Sequence, residues 1–321
     1  MGTKRWVGAT SGDLSTPANY AGGAKPVNGD TLLFDASATG DLTTGALGNT
    51  ALQVNIGRGF SRSIGTASSA VTLQQRHLNQ KTTIDMRQGF ANLDLLTTDL
   101  VINSSPAGNS LYITGDVTTC TICGPTGNVT FSEDADLTTL VIAPNRDSGP
   151  DPTCQVTLES TNTISTLIIA GPCVIDCSTV AHTAICVGPG LRVDLRNDFG
   201  NTKLVVVRCN VKQHEKVPAM GGGASGLIVS NGSVSFADTV EIAAVGGGVG
   251  FTDLYPRSCL DLTNVPTLVD PGPITCYGGI VRPRLPVTMA VPSDTKLSST
   301  SGRSLNFQLA ANSGHVPTVL W

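Results

Sequence analysis

The chain has 321 residues, of which 14% are charged and 4% aromatic, and its formal net charge is −4 at pH 7. Charged residues fall well below the roughly 25% of ordinary soluble domains, and so mild an acidic excess gives no electrostatic ground for nucleic acid or an anionic membrane as a partner. No apolar run nears the roughly 18 residues of a membrane-spanning helix, and helical spacing is sustained nowhere; Gly, Thr and short apolar triplets point instead to an all-β chain.

The opening, Met1-Gly-Thr-Lys-Arg-Trp-Val-Gly, places no apolar stretch behind its two basic residues, so a secretory leader is not expected there. Nine cysteines, an odd number, fit thiols kept reduced in a cytoplasm. Residues 1–30 are rich in Gly, Pro, Asn and Asp, with Trp6 and Tyr20 as the large anchors, and are expected to form an N-terminal cap over the open end of a coil. The pattern Trp6-x-Gly8, Gly12-Asp13, Asn19-Tyr20, Gly22-Gly23, Pro26-x-x-Gly29-Asp30, then a strand, resembles the start of many β-helical surface proteins. Autotransporter-type adhesins and virion proteins of tailed bacteriophages share it. The resemblance covers about 35 residues, with Tyr20 where Trp is commoner, and implies a β-helix on a cell or particle surface.

From Thr31 short strand patterns follow one another: Leu32–Phe34, Leu52–Ile56, Val71–Leu73, Thr83–Met86, Leu93–Leu95, Leu100–Ile102 and Leu111–Ile113 among them. Gly, Asn, Ser and Thr fill the gaps, as they do at solenoid corners. The chain then repeats itself. Val129-Thr-Phe-Ser-Glu-Asp-Ala-Asp-Leu-Thr-Thr-Leu-Val-Ile-Ala143 aligns without a gap with Val156-Thr-Leu-Glu-Ser-Thr-Asn-Thr-Ile-Ser-Thr-Leu-Ile-Ile-Ala170, 27 residues on. Leu167-Ile-Ile-Ala-Gly-Pro is matched again, 18 residues on, by Ile185-Cys-Val-Gly-Pro. Self-similarity at this period, without helices, predicts a right-handed parallel β-helix over residues 31–250; an all-β sandwich is the structural alternative.

Two stretches break the rhythm. Lys212-Gln-His-Glu-Lys-Val-Pro-Ala-Met-Gly-Gly-Gly-Ala-Ser-Gly226 is expected to be a loop insertion, and Gly246-Gly-Gly-Val-Gly250 a flexible joint. Residues 251–321 hold eight of the 18 prolines. Because proline removes ladder donors, this segment is expected to be a C-terminal cap or an arm reaching a neighbour.

Candidate chemistry is sparse. The carboxylates best placed for glycan hydrolysis are Glu133, Asp134 and Asp136, expected at a corner, and Asp194, flanked by Arg192 and Arg196 on one strand face. The repeat copy replaces the first three with Ser160, Thr161 and Thr163, which favours a solvated turn. Cys120-x-x-Cys123 and Cys173-x-x-x-Cys177 have metal-like spacing without a second pair, so buried, metal-free thiols are expected. His77, His182, His214 and His315 are scattered, and no nucleophile elbow or phosphate loop occurs. No catalytic residue, cofactor or metal is assigned.

The resemblance to tailed-phage β-helical proteins, beside the sparse candidate chemistry, implies a non-enzymatic virion protein of a tailed phage, made in the host cytoplasm, first as a capsid decoration (cement) protein. A tail fibre or tailspike that binds or cleaves host polysaccharide comes second, and a β-helical adhesin is the other alternative. Expected partners are copies of itself, as a trimer, and the major capsid protein or another virion protein, with a host glycan as a further candidate.

Overall fold

Residues about twenty apart in sequence become neighbours in space, because the strand ladders of this protein are parallel. The computed structural model describes residues 2–47, 53–74, 81–106, 108–124, 127–143, 154–159, 164–177, 180–196, 199–213, 227–236 and 252–264. It also describes the short strands at 268–269, 274–276, 280–283, 289–290 and 297–298. The Gly246–Gly250 joint, residues 214–226 of the loop insertion, and His77, His214 and His315 lie outside the described residues. The chain divides into two units, Met1–Ser148 with Thr153–Ile164, and Gly149–Pro152 with Ser165–Trp321. Each is a parallel β-solenoid.

The first unit contains β1 (Thr3–Trp6), β2 (Thr31–Phe34), β3 (Gln53–Ile56), β4 (Val71–Gln74), β5 (Lys81–Asp85), β6 (Ala91–Ser104), β7 (Asn109–Ile122), β8 (Asn128–Ile142) and β9 (Cys154–Leu158). Short strands such as β2, β3 and β5 alternate inward and outward, as period-2 geometry requires, whereas β6 and β8 break the alternation where they turn a corner. One inward column runs Trp6, Phe34, Ile56, Ile84, Ile102, Ile122 and Ile142, each the Cα partner of the next. All are at most 2% exposed. Burying such a side chain contributes about 1.5–3 kcal/mol, so the column is a main source of stability. The repeat found in sequence is a stacking relationship here: Val129, Thr130 and Phe131 pair with Val156, Thr157 and Leu158.

Two expectations about strands need revision. The separate triplets Leu93–Leu95 and Leu100–Ile102 belong to one strand of 14 residues, β6; β7 also has 14 residues and β8 has 15. Coil-to-coil bonding continues through the corners, which therefore add to the ladder. Second, the ladder already includes β1, because Thr3–Trp6 pairs in parallel with Thr31–Phe34.

The opening motif is explained by this first coil. Asn19 is fully buried and satisfies the loop around it. Its Oδ1 accepts from the Thr10 amide (3.0 Å) and the Ser11 amide (3.1 Å), and its Nδ2 donates to the Ser11 Oγ and the Asp13 carbonyl, both at 2.9 Å. Tyr20 donates its hydroxyl to the Leu14 carbonyl at 2.7 Å and stands edge-on to Trp6, 5.5 Å between centroids. Phe34 and Phe60 continue the aromatic contacts. The motif residues make a closed, hydrogen-bonded coil end, which is the covering an exposed sheet edge needs.

The second unit contains β10 (Thr166–Ile169), β11 (Cys173–Cys177), β12 (Val180–Arg196), β13 (Phe199–Gln213), β14 (Leu227–Ser230), β15 (Ser233–Phe236), β16 (Thr252–Leu254) and β17 (Cys259–Leu262). Here the sequence match is off by one residue. Ile168, not Leu167, pairs with Ile185, and Ile169 with Cys186. A one-residue shift exchanges the two faces of a strand, so Cys186 is buried while Ile185 turns outward. Parallel pairing also continues into the proline-rich segment. Further strands β18 (Leu268–Val269), β19 (Ile274–Cys276) and β20 (Ile280–Pro283) follow, β16 pairing with β19 and β17 with β20. Pro283 ends its strand, a position that tolerates a missing amide.

Candidate functional site

The acidic candidates sit where the β7–β8 ladder bulges. Ile113 pairs with Phe131, and the next pair is Gly115 with Ala135, so Ser132, Glu133 and Asp134 oppose Thr114 alone. Glu133, Asp134 and Asp136 are exposed while Ala135 is buried. Gly115 makes the corner possible. Its φ is 83°, and a Cβ there would stand 2.3 Å from the Leu95 carbonyl oxygen. Asp136 is the Cα partner of Asp116, which is also exposed. The corner thus gathers four carboxylates toward solvent, two of them directly opposed across neighbouring strands. Sequence reading found three; Asp116 enters only through the register.

The second set lies on β12 in the other unit. Arg192 is exposed and Val193 fully buried, which is the expected alternation. Register places Arg192 beside Asn210 and Asp194 beside Lys212 on β13. The side chains of Asp194 and Arg196 lie outside the described residues. The two candidate sets belong to different units and carry opposite charge.

A third feature left no clear trace in sequence. Arg208, Asn231 and Arg257 all have positive φ, at 59°, 51° and 60°. The flanking registers, Val207 with Ser230 and Asn210 with Ser233, then Val229 with Leu254 and Ser233 with Cys259, set them at one corner of three successive coils. All three are exposed. A left-handed conformation disfavours a residue with a Cβ by about 1–2 kcal/mol, and Asn tolerates it better than Arg. Asn231-Gly232 is a readable turn; two arginines in this conformation are not.

Polar side chains tie successive coils together. Thr72 Oγ1 donates to Asp94 Oδ2 at 3.0 Å, Thr157 Oγ1 to Asn128 Oδ1 at 3.0 Å and Ser233 Oγ to Asn210 Oδ1 at 2.7 Å. Thr114 and Ser132 share a 2.9 Å hydroxyl contact.

The thiols are largely interior. Cys120, Cys154, Cys173, Cys186 and Cys209 are buried, Cys123 and Cys259 partly so. Burial, with Cys154 nearby, holds the Cys120 thiol well above its ordinary range. The neighbouring Cys209 sulfur and then burial do the same for Cys186. Among the described residues, no group of three or more His, Cys, Asp or Glu side chains is placed to hold a metal. His182 lies on β12, with its side chain outside the described residues.

No protein family matches the chain, and no curated protein or solved structure is detectably similar to it. Function has to be argued from the surfaces themselves.

Proposed function

We propose that this chain is a non-enzymatic structural protein of a tailed-phage virion, a capsid decoration protein that assembles with copies of itself and with the shell. The observation that carries the reading is the outer surface. Hydrogen-bonded Thr, Ser, Asn and Asp side chains link one coil to the next, so part of the coil surface is already ordered before any partner binds. Rigid faces lower the entropic cost of association, which suits a part that must bind in many identical copies. The opening-coil pattern resembles that of tailed-phage β-helical proteins, and this analogy suggests the virion context.

The test is cosedimentation of purified protein with phage heads and with tails, together with incubation on host capsule and lipopolysaccharide. Binding to heads without depolymerisation is expected. Glycan cleavage abolished by Glu133→Gln or Asp194→Asn would move the function to a tailspike depolymerase, and failure to bind any virion part would end the reading.

A further inference from the structure

We propose that the outward sheet face of the second unit is a self-association surface, and that its occupant is a second copy of this chain, presenting the acidic corner of its first unit. The face is built by β10, β12, β13 and β14. Register sets Ile168, Ile185, Val205 and Ile228 in one outward row, with Val187 and Val207 beside it in a second. Val187 is 40% exposed and the others are half-buried. The equivalent row of the first unit, Asn55, Thr83, Val101, Thr121 and Val141, mixes three polar residues with two apolar ones. Four successive aliphatic residues in one outward row are typical of a covered parallel sheet.

Charge decides what covers it. Arg208 directly follows Val207, Arg257 stands at the same corner two coils on, roughly 9–10 Å away at ordinary strand spacing, and Arg192 lies on the strand next to Asn210. All three are exposed. The ion pairs among the described residues involve other arginines, Arg5 with Asp35 and Arg58 with Asp85. The complement is carried by the first unit, where Asp116 and Asp136 oppose one another and Glu133 and Asp134 bulge beside them. Like charges opposed across strands repel, and a cationic partner relieves that repulsion.

The order along the strands agrees. On β7 and β8 the carboxylates precede the outward residues Thr121 and Val141; on β13 Arg208 follows Val205 and Val207. With the strands of two copies running in opposite directions, arginines meet carboxylates while the Val and Thr row of one copy covers the aliphatic rows of the other. An apolar centre with a charged rim is the usual anatomy of a specific interface. Two different patches make the contact heterologous, which closes as a ring such as a trimer or continues as a chain.

The proposal rests on the self-assembly part of the function proposed above. Sedimentation velocity of the full chain at low and high salt, over a range of concentrations, tests both. Salt is expected to weaken association, and Val187→Ser with Val207→Ser to weaken it about tenfold or more, the loss expected for central interface residues. Arg208→Glu with Arg257→Glu, and separately Asp116→Lys with Asp136→Lys, are each expected to abolish it while far-UV circular dichroism stays unchanged. Combining all four changes in one chain should restore it, and mixing the two variants should restore pairing between unlike copies. If these variants misfold, salt titration of the Val187→Ser and Val207→Ser protein still reports on the same face. Association insensitive to every one of these changes overturns this surface and leaves self-assembly standing. A monomer under all conditions overturns both.

Discussion

The Gly2 amide donates a 2.7 Å hydrogen bond to Asp30 Oδ1, and the Val27 amide donates to Oδ2 at 3.2 Å. One carboxylate thereby closes both the start of β1 and the turn leading into β2. The Gly2 and Val27 amides hold its carboxyl below the usual carboxylate range. A folded-state pKa below the unfolded one gives stability that is present above about pH 4, the unfolded value, and is lost as pH falls through the folded value. Thermal unfolding should show this. Asp30→Asn should lower stability by about 1–2 kcal/mol near neutral pH, and the gap to wild type should narrow on acidification below pH ~4. A gap independent of pH would show that the charge is not the source.

Side-chain parity can be tested at adjacent residues. Ile142→Asp and Cys186→Asp place a carboxylate in the core and should cost several kcal/mol each. Val141→Asp and Ile185→Asp, on the outward face, should change stability far less. Chemical denaturation of the four variants distinguishes the observed register from the one-residue alternative, which would invert the order at 185 and 186.

Thr82 stands in an inward column between Val54 and Leu100, fully buried, and its hydroxyl has no hydrogen-bond partner. Replacing it with the near-isosteric Val removes an unpaired polar group. Thr82→Val should therefore stabilise the protein by about 1 kcal/mol. A lower midpoint in denaturant would show that the hydroxyl is satisfied in solution.

The left-handed arginine corner has a measurable cost. Arg257→Gly removes the Cβ strain but loosens the unfolded chain, for a net gain of about 0.5–1 kcal/mol. A destabilised variant in a thermal melt would mean that the arginine side chain packs in the monomer, and would weaken its assignment to an interface.

Thiol chemistry should follow burial. Among the described cysteines, Cys123 and Cys259 should react first with a maleimide in the native protein. Cys120, Cys154, Cys173, Cys186 and Cys209 should react only on unfolding, because burial shields their sulfurs from the reagent. Time-resolved peptide mapping reads the order. Early labelling of Cys120 would contradict its place in the core.

The architecture was legible because the requirement behind it is local. A coil of a solenoid must carry apolar residues at alternate positions of short strands and small or polar residues between them. When it stacks on a similar coil, the pattern recurs at the coil length. Val129 over Val156 is that rule made visible, and the solvent exposure of Glu133, Asp134 and Asp136 follows from the same copy. Other features depended on tertiary structure. Along Leu167-Ile-Ile-Ala170 every residue is apolar, so the pattern contains no parity, and which isoleucine faces inward is settled by the length of the corner and the bonds to the next coil. The same holds for Asp116 against Asp136, for Arg208 above Asn231 and Arg257, and for the outward row from Ile168 to Ile228. Each is a relation between residues roughly twenty or more apart, set by register, and register is a property of the stacked coils and not of any one of them.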